Sequence, residues 1–143
     1  GSLRAALQAS ASVQGLADRV SVGGGLGQDA QNEGYEQAQW FVSLPASDSV
    51  AVSVIEAMAH GCIPVLSDLP ANRELVTQAV NGLVLPDEGP AQAPELQALL
   101  GNAADVARRN RAWVAEHGVF APCIERLLAR LQALAAAPVG APA

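Results

Sequence analysis

Hydrophobic and polar positions follow two alternating rhythms along this chain. Leu3, Leu7 and Leu16, with alanines between them, predict a helix over about residues 3–14, closed by Gly15. "RVSVGG" predicts a short strand at Val20–Val22 running into a glycine-rich turn that ends at Gly27. "DAQNEGYEQA" is polar and helix-like, although Gly34 weakens it by about 1 kcal/mol. "WFVSLP" is a compact apolar strand stopped by Pro45, and a helix follows from about Ala51 to His60, with Gly61 at its C-terminal cap. "IPVLSD" is the next strand, its proline tolerable only near the strand start. "ANRELVTQA" predicts a short helix, Asn81-Gly82 a turn and "GLVLP" a further strand. The remainder reads as helical. Leu96, Leu99 and Leu100 mark one segment, and Val106, Trp113 and Val114 another. Ile124, Leu127, Leu128, Leu131 and Leu134 form the clearest amphipathic stripe. "APVGAPA" predicts a frayed tail over 138–143.

Short apolar strands alternating with helices imply an α/β fold of βαβ units, with a parallel sheet flanked by helices on both faces. The 143 residues suit one domain. Ligands of such sheets bind beyond the carboxyl ends of the strands, where loops lead into helices. Asp48 lies in one of those loops.

Composition narrows the partners. Half of the residues are hydrophobic but only 3% are aromatic, so the core is built from Ala, Val, Leu and Ile. The net charge is -6, and all eight basic residues are arginines. That balance argues against a nucleic-acid partner or an anionic membrane surface, both of which need a basic face. It does not exclude a local phosphate site. Cys62 and Cys123 have no metal or redox spacing and read as buried, reduced thiols. No signal-like segment leads the chain, and no apolar run approaches the ~18 residues of a membrane span. The cytoplasm is the expected compartment.

The stretch "SLPASDSVAVSVIEAMAHGCIPVLSD" carries the candidate chemistry. A helix starting near Ala51 leaves amides unpaired in its first turn, and its dipole puts partial positive charge there. A phosphate is a natural occupant of such an end. Small or slender side chains at Ser49, Val50 and Ala51 let a ligand approach that backbone. Glu56, about one and a half turns in, could accept hydrogen bonds from a vicinal diol, and Asp48 from hydroxyls of a second sugar. Phosphate between two diol-binding carboxylates describes a nucleotide sugar. On spacing alone the simpler readings stand beside it, with Glu56 a solvent-facing helix residue and Asp48 a helix cap.

The block "SDSVAVSVIEAMAHGCIPVLSDLPANRELVTQAVNGLVLP" resembles the donor-binding segment of the retaining glycosyltransferases of family 4 (group 1). Their pattern is E-x7-E, then A-M-A-x-G-x-P-V, an E-L/I helix and an N-G-L turn. It appears here as Asp48-x7-Glu56, Ala57 to Val65, Glu74-Leu75 and Asn81-Gly82-Leu83. The likeness covers about residues 1 to 90. It implies a Rossmann-like GT-B C-terminal domain over 1–137 that lacks the first strands of the family's sheet. Glu56 would bind the ribose. Asp48, Ser49, Val50, Ala51 and Val52 would meet the donor sugar and diphosphate, and Gly23, Gly24 and Gly25 would lie against the base. His60 falls at a freely varying position and reads as a helix-end residue. Arg73 reads as a surface ion-pair partner. The resemblance asks this half for no catalytic base, metal or cofactor.

Several departures from the family stand out. Asp48 replaces glutamate and is shorter by one C–C bond, ~1.5 Å. Ala51 replaces a glycine, and Pro70-Ala71 replaces a glycine pair. The family's G-R…K segment, which holds the diphosphate, and its N-terminal acceptor domain have no counterpart here. The expectation is therefore the donor-binding half of a glycosyltransferase, using a UDP-, GDP- or ADP-linked sugar in polysaccharide biosynthesis or a related pathway and inactive as this fragment. Exposed strand edges would invite dimerisation by strand addition. Other nucleotide-sugar chemistry, such as epimerisation, and a non-catalytic interaction module are the alternatives.

Overall fold

The computed structural model describes residues 2–49, 51–86 and 93–136. In chain order these form α1 (Ser2–Val13), α2 (Gln28–Gln37), β1 (Trp40–Ser43), α3 (Val52–His60), β2 (Ile63–Ser67), α4 (Pro70–Leu75), β3 (Leu83–Leu85), α5 (Ala93–Gly101), α6 (Ala103–His117) and α7 (Phe120–Ala136). The fold is α/β and Rossmann-like, with a parallel sheet flanked by helices. The chain divides into two compact units, Gly1–Gly34 and Tyr35–Ala143. The tail expected at 138–143 lies outside the described residues.

In the first unit α1 forms as expected. The strand expected at Val20–Val22 does not, because this segment runs as irregular coil to Gly27. A strand is held by a ladder to its neighbour, and no described segment pairs with Val20–Val22. β-branched side chains alone do not produce one.

The second unit holds the sheet, in the order β1-β2-β3. β1 pairs in parallel with β2 (Trp40 opposite Ile63, Ser43 opposite Leu66), and β2 with β3 (Val65 opposite Leu83, Ser67 opposite Leu85). The middle strand is buried along its whole length. Ile63 and Val65 pack with Leu83, Leu99 and Val106, while Leu66 packs with Val54, Met58, Leu75, Val76 and Val114. A strand that serves two cores has no polar face, so β2 reads as a continuous apolar run. Leu66 and Met58 are fully buried, and each stabilises the fold by about 1.5–3 kcal/mol.

Two glycines set the joints around β2. Gly61 ends α3 in the left-handed region, at φ 92°, and its amide bonds back to the Met58 carbonyl. Gly82 precedes β3, and a Cβ there would lie 2.6 Å from the Pro64 carbonyl oxygen. The fully buried Pro64 sits second in β2, as its missing donor requires.

The helix expected to reach Ala79 stops at Leu75. The Asn81 side chain accepts the Thr77 amide at 2.7 Å and donates to the Leu75 carbonyl at 3.1 Å. This local capture of the backbone competes with another helical turn. On α6, the fully buried Asn110 donates through Nδ2 to the carbonyls of Cys62 (2.9 Å) and Asn81 (3.1 Å), joining the starts of β2 and β3. Its Oδ1 finds no partner.

The stripe on α7 is a further departure. The helix forms over Phe120–Ala136, yet none of its residues is buried, and Leu127, Leu128, Leu131 and Leu134 are all at least half exposed. The cysteines are free. Cys62 is buried, and burial pushes its thiol above the usual range. Cys123 is only half-buried, with its Sγ donating to the His117 carbonyl at 2.9 Å. No helix among the described residues is long and apolar enough to cross a membrane.

Candidate functional site

The strands are parallel, so their carboxyl ends share one edge of the sheet, and the loops into α3 and α4 both leave from it. The β1–α3 loop runs from Leu44 to Ala51 and carries Asp48 and Ser49, both exposed. Asp48 Oδ1 accepts the Ser49 amide at 2.8 Å. Asp48 does not cap the helix: the N-cap is Ala51, in extended backbone at φ -73° and ψ 120°, with no side-chain hydrogen bond to the first turn. Val50 lies outside the described residues.

That helix start is chemically bare. Ala51 offers only a methyl group and a carbonyl, which takes the Val54 amide at 3.0 Å. No acidic side chain stands in the first turn to offset the dipole. Val52, the first helical residue, is 67% exposed. The buried stripe of α3 consists of Val54, Ala57 and Met58. Glu56 follows Val52 by four residues and shares its face, away from that stripe. It is half-buried, which departs from the simple solvent-facing reading. Asp48, Ser49, Ala51, Val52 and Glu56 thus belong to one strand-loop-helix junction at the carboxyl edge. Gly23, Gly24 and Gly25 lie in the irregular segment of the first unit.

His60 closes α3 as a helix-end residue. Its carbonyl accepts Arg111 Nη2 at 2.7 Å, and its Nδ1 stands 3.7 Å from Glu36 Oε1. Arg73 is held in a two-pronged ion pair, with Nε 2.5 Å from Asp68 Oδ1 and Nη2 2.6 Å from Oδ2. The guanidinium's hydrogen bonds hold the Asp68 carboxyl below its ordinary range, and the carboxylate raises Arg73 in turn. This pair lines a cavity of about 430 Å³ with Val76, Gln78, Val84 and Pro86, at the ends of β2 and β3. None of the residues expected to hold a donor lines it.

The sequence reading missed the bonds that anchor the β1–α3 loop. Ser67, the last residue of β2, donates from its hydroxyl to the Pro45 carbonyl at 2.8 Å. Its own carbonyl accepts Asn72 Nδ2 at 2.9 Å and the Leu69 amide at 2.9 Å. Ser67 and Asn72 are both buried. The signal for them was a serine ending an otherwise apolar strand, followed by an asparagine one helical start later.

Among the described residues no group of three His, Cys, Asp or Glu side chains is placed to hold a metal ion.

The family model for glycosyl transferases group 1 matches residues 1–102. Two curated relatives carry the name GDP-mannose:cellobiosyl-diphosphopolyprenol alpha-mannosyltransferase. The protein from Xanthomonas oryzae pv. oryzae (strain PXO99A) is 33% identical over 87 residues, covering 60% of this chain and 23% of the relative. The protein from Xanthomonas campestris is 35% identical over 104 residues, covering 71% of this chain and 27% of the relative. The chain therefore spans about a quarter of the length of these relatives. No solved structure gives a significant match.

Proposed function

Since this chain belongs to the group 1 glycosyl transferases, we propose that it is the donor-binding half of a retaining glycosyltransferase, with the β1–α3 junction as its nucleotide-sugar cleft. The diphosphate would sit on the bare amide start of α3, where backbone dipoles stabilise the charge that develops as the sugar–phosphate bond breaks. Glu56 would take the ribose hydroxyls, and Asp48 with Ser49 and the backbone of Val50 to Val52 the transferred sugar.

One observation carries the reading. A helix without a side-chain cap or a first-turn acid starts at the carboxyl edge of a parallel sheet, with a carboxylate one turn further along its outward side. An uncapped start leaves its amides to an anion; α4 is uncapped too, but it begins at Pro70, which has no amide hydrogen to offer. The printed names of the relatives make GDP-mannose the first donor to test. The acceptor would be a glycan, lipid or small molecule, bound by a second domain. Strand addition at the outer edge of β1 would join two copies, since β1 is an edge strand among the described residues and Val42 is 60% exposed.

Calorimetric titration of the chain with GDP-mannose, UDP-glucose and ADP-glucose tests the donor site. Heat with one of them, reduced in Glu56→Ala, is the expected result. No heat with any of the three overturns the reading.

A further inference from the structure

We infer that Ser67 is a positioning residue for the donor loop, acting through the Pro45 carbonyl on the segment that carries Asp48. The inference rests on the reading of the β1–α3 junction as the donor cleft. It assigns a role to a residue outside that junction.

The paired register of β1 and β2 ends at Ser43 opposite Leu66. Beyond it, β1 turns into its loop and has no further backbone ladder to β2. At that point the Ser67 hydroxyl reaches the Pro45 carbonyl at 2.8 Å, a single side-chain bond in place of the next rung. Pro45 lies three residues before Asp48, so this bond fixes where the loop departs from the sheet. Ser67 is itself held. Its carbonyl takes both the Asn72 side chain and the Leu69 amide, and Asn72 is 4% exposed at the start of α4. The hydroxyl is therefore presented from a fixed backbone. A part-buried carbonyl that loses this donor must seek another partner, and no ladder to β2 holds Pro45 in its place.

A displacement at Pro45 carries over to Asp48 three residues on and lengthens the hydrogen bonds expected of it to a donor sugar, which weaken with distance and misalignment. Ser67→Ala deletes one oxygen atom and leaves the packing of β2 in place. Ser67→Thr keeps the hydroxyl on a residue suited to a strand. Nucleotide-sugar affinity and the melting temperature are to be measured for the wild type, Ser67→Ala, Ser67→Thr and Glu56→Ala, with GDP-mannose, UDP-glucose and ADP-glucose as probes.

The expected result is a loss of about tenfold in affinity for Ser67→Ala, the scale of one hydrogen bond, with Ser67→Thr close to wild type. A purely structural role would lower the melting point of Ser67→Ala while leaving affinity unchanged, and that outcome overturns the inference. Folded Ser67→Thr binding as weakly as Ser67→Ala also overturns it. The two readings fail separately: unchanged affinity in Glu56→Ala counts against the ribose assignment, and unchanged affinity in Ser67→Ala against the positioning role alone. A wild-type chain that binds none of the probes overturns both.

Discussion

Gly82 lies against Pro64 so closely that a single added carbon would stand 2.6 Å from the proline's carbonyl oxygen and 2.7 Å from its ring. Both neighbours are rigid, one being backbone of the middle strand and the other a closed ring. Gly82→Ala is therefore expected to destabilise the fold by about 1–3 kcal/mol, the usual cost of overpacking. Urea denaturation measures it. Stability equal to wild type would mean that β3 can shift away from β2 at little cost.

Glu56→Ala should weaken nucleotide-sugar binding by about 1.5–3 kcal/mol, the typical worth of hydrogen bonds to a charged group. The fold should survive, because Glu56 lies off the buried stripe of α3. Titration calorimetry and a thermal melt together decide the point. A sharp fall in melting temperature with intact affinity would show a structural carboxylate.

Asn110 joins two strand starts through one amide. Removing it in Asn110→Ala leaves two buried carbonyls without that donor and should cost about 2–6 kcal/mol, each unsatisfied group contributing about 1–3. Asn110→Asp has a distinct signature. A carboxyl buried against carbonyls has its pKa raised, so its proton is held more tightly in the folded state than in the unfolded state. Stability of that variant should be highest at low pH and fall as pH rises through the folded-state pKa. A pH series of chemical denaturation checks the direction, and a flat profile would refute it.

The Asp68–Arg73 pair gives the opposite slope. Asp68 has its carboxyl pKa lowered from 3.8 by the Arg73 hydrogen bonds, so its contribution is present above that value and lost as pH falls below it. Both groups are open to solvent, which keeps the contribution small and salt-sensitive. The gap in melting temperature between wild type and Asp68→Asn should close on acidification and narrow in molar salt. A gap that widens in acid would assign Asp68 another partner.

Self-association through β1 makes a further prediction. Light scattering of the wild type should show a dimer whose population falls in Val42→Lys, since a charge on an edge strand opposes pairing. A wild-type monomer at high concentration removes that proposal.

The sequence disclosed what depends on neighbours close along the chain. Gly61 after an apolar helix, the compact strand "WFVS" and the turn at Asn81-Gly82 each carry a local cause, and all three formed. Val20–Val22 failed because a strand requires a partner that local composition cannot supply. Asp48 looked like a cap, but capping depends on where the helix begins, and it begins four residues later. The Asn110 and Ser67 bonds span 48 and 22 residues. No periodicity announces pairings of that range, and a serine ending an apolar strand marks the residue but not its partner. The stripe on α7 was legible as a pattern, but a pattern does not say whether another element meets it.

The helix α6 draws a boundary that similarity does not. It supplies Val114 to the core on one face of the sheet and Val106 to the core on the other, along with the Asn110 amide and the Arg111 clamp on α3. All of these lie past residue 102, where the family match stops. A piece trimmed to the recognisable stretch would lose a buried side chain from both cores at once. A piece that keeps both cores and the Asn110 bonds must instead include α6.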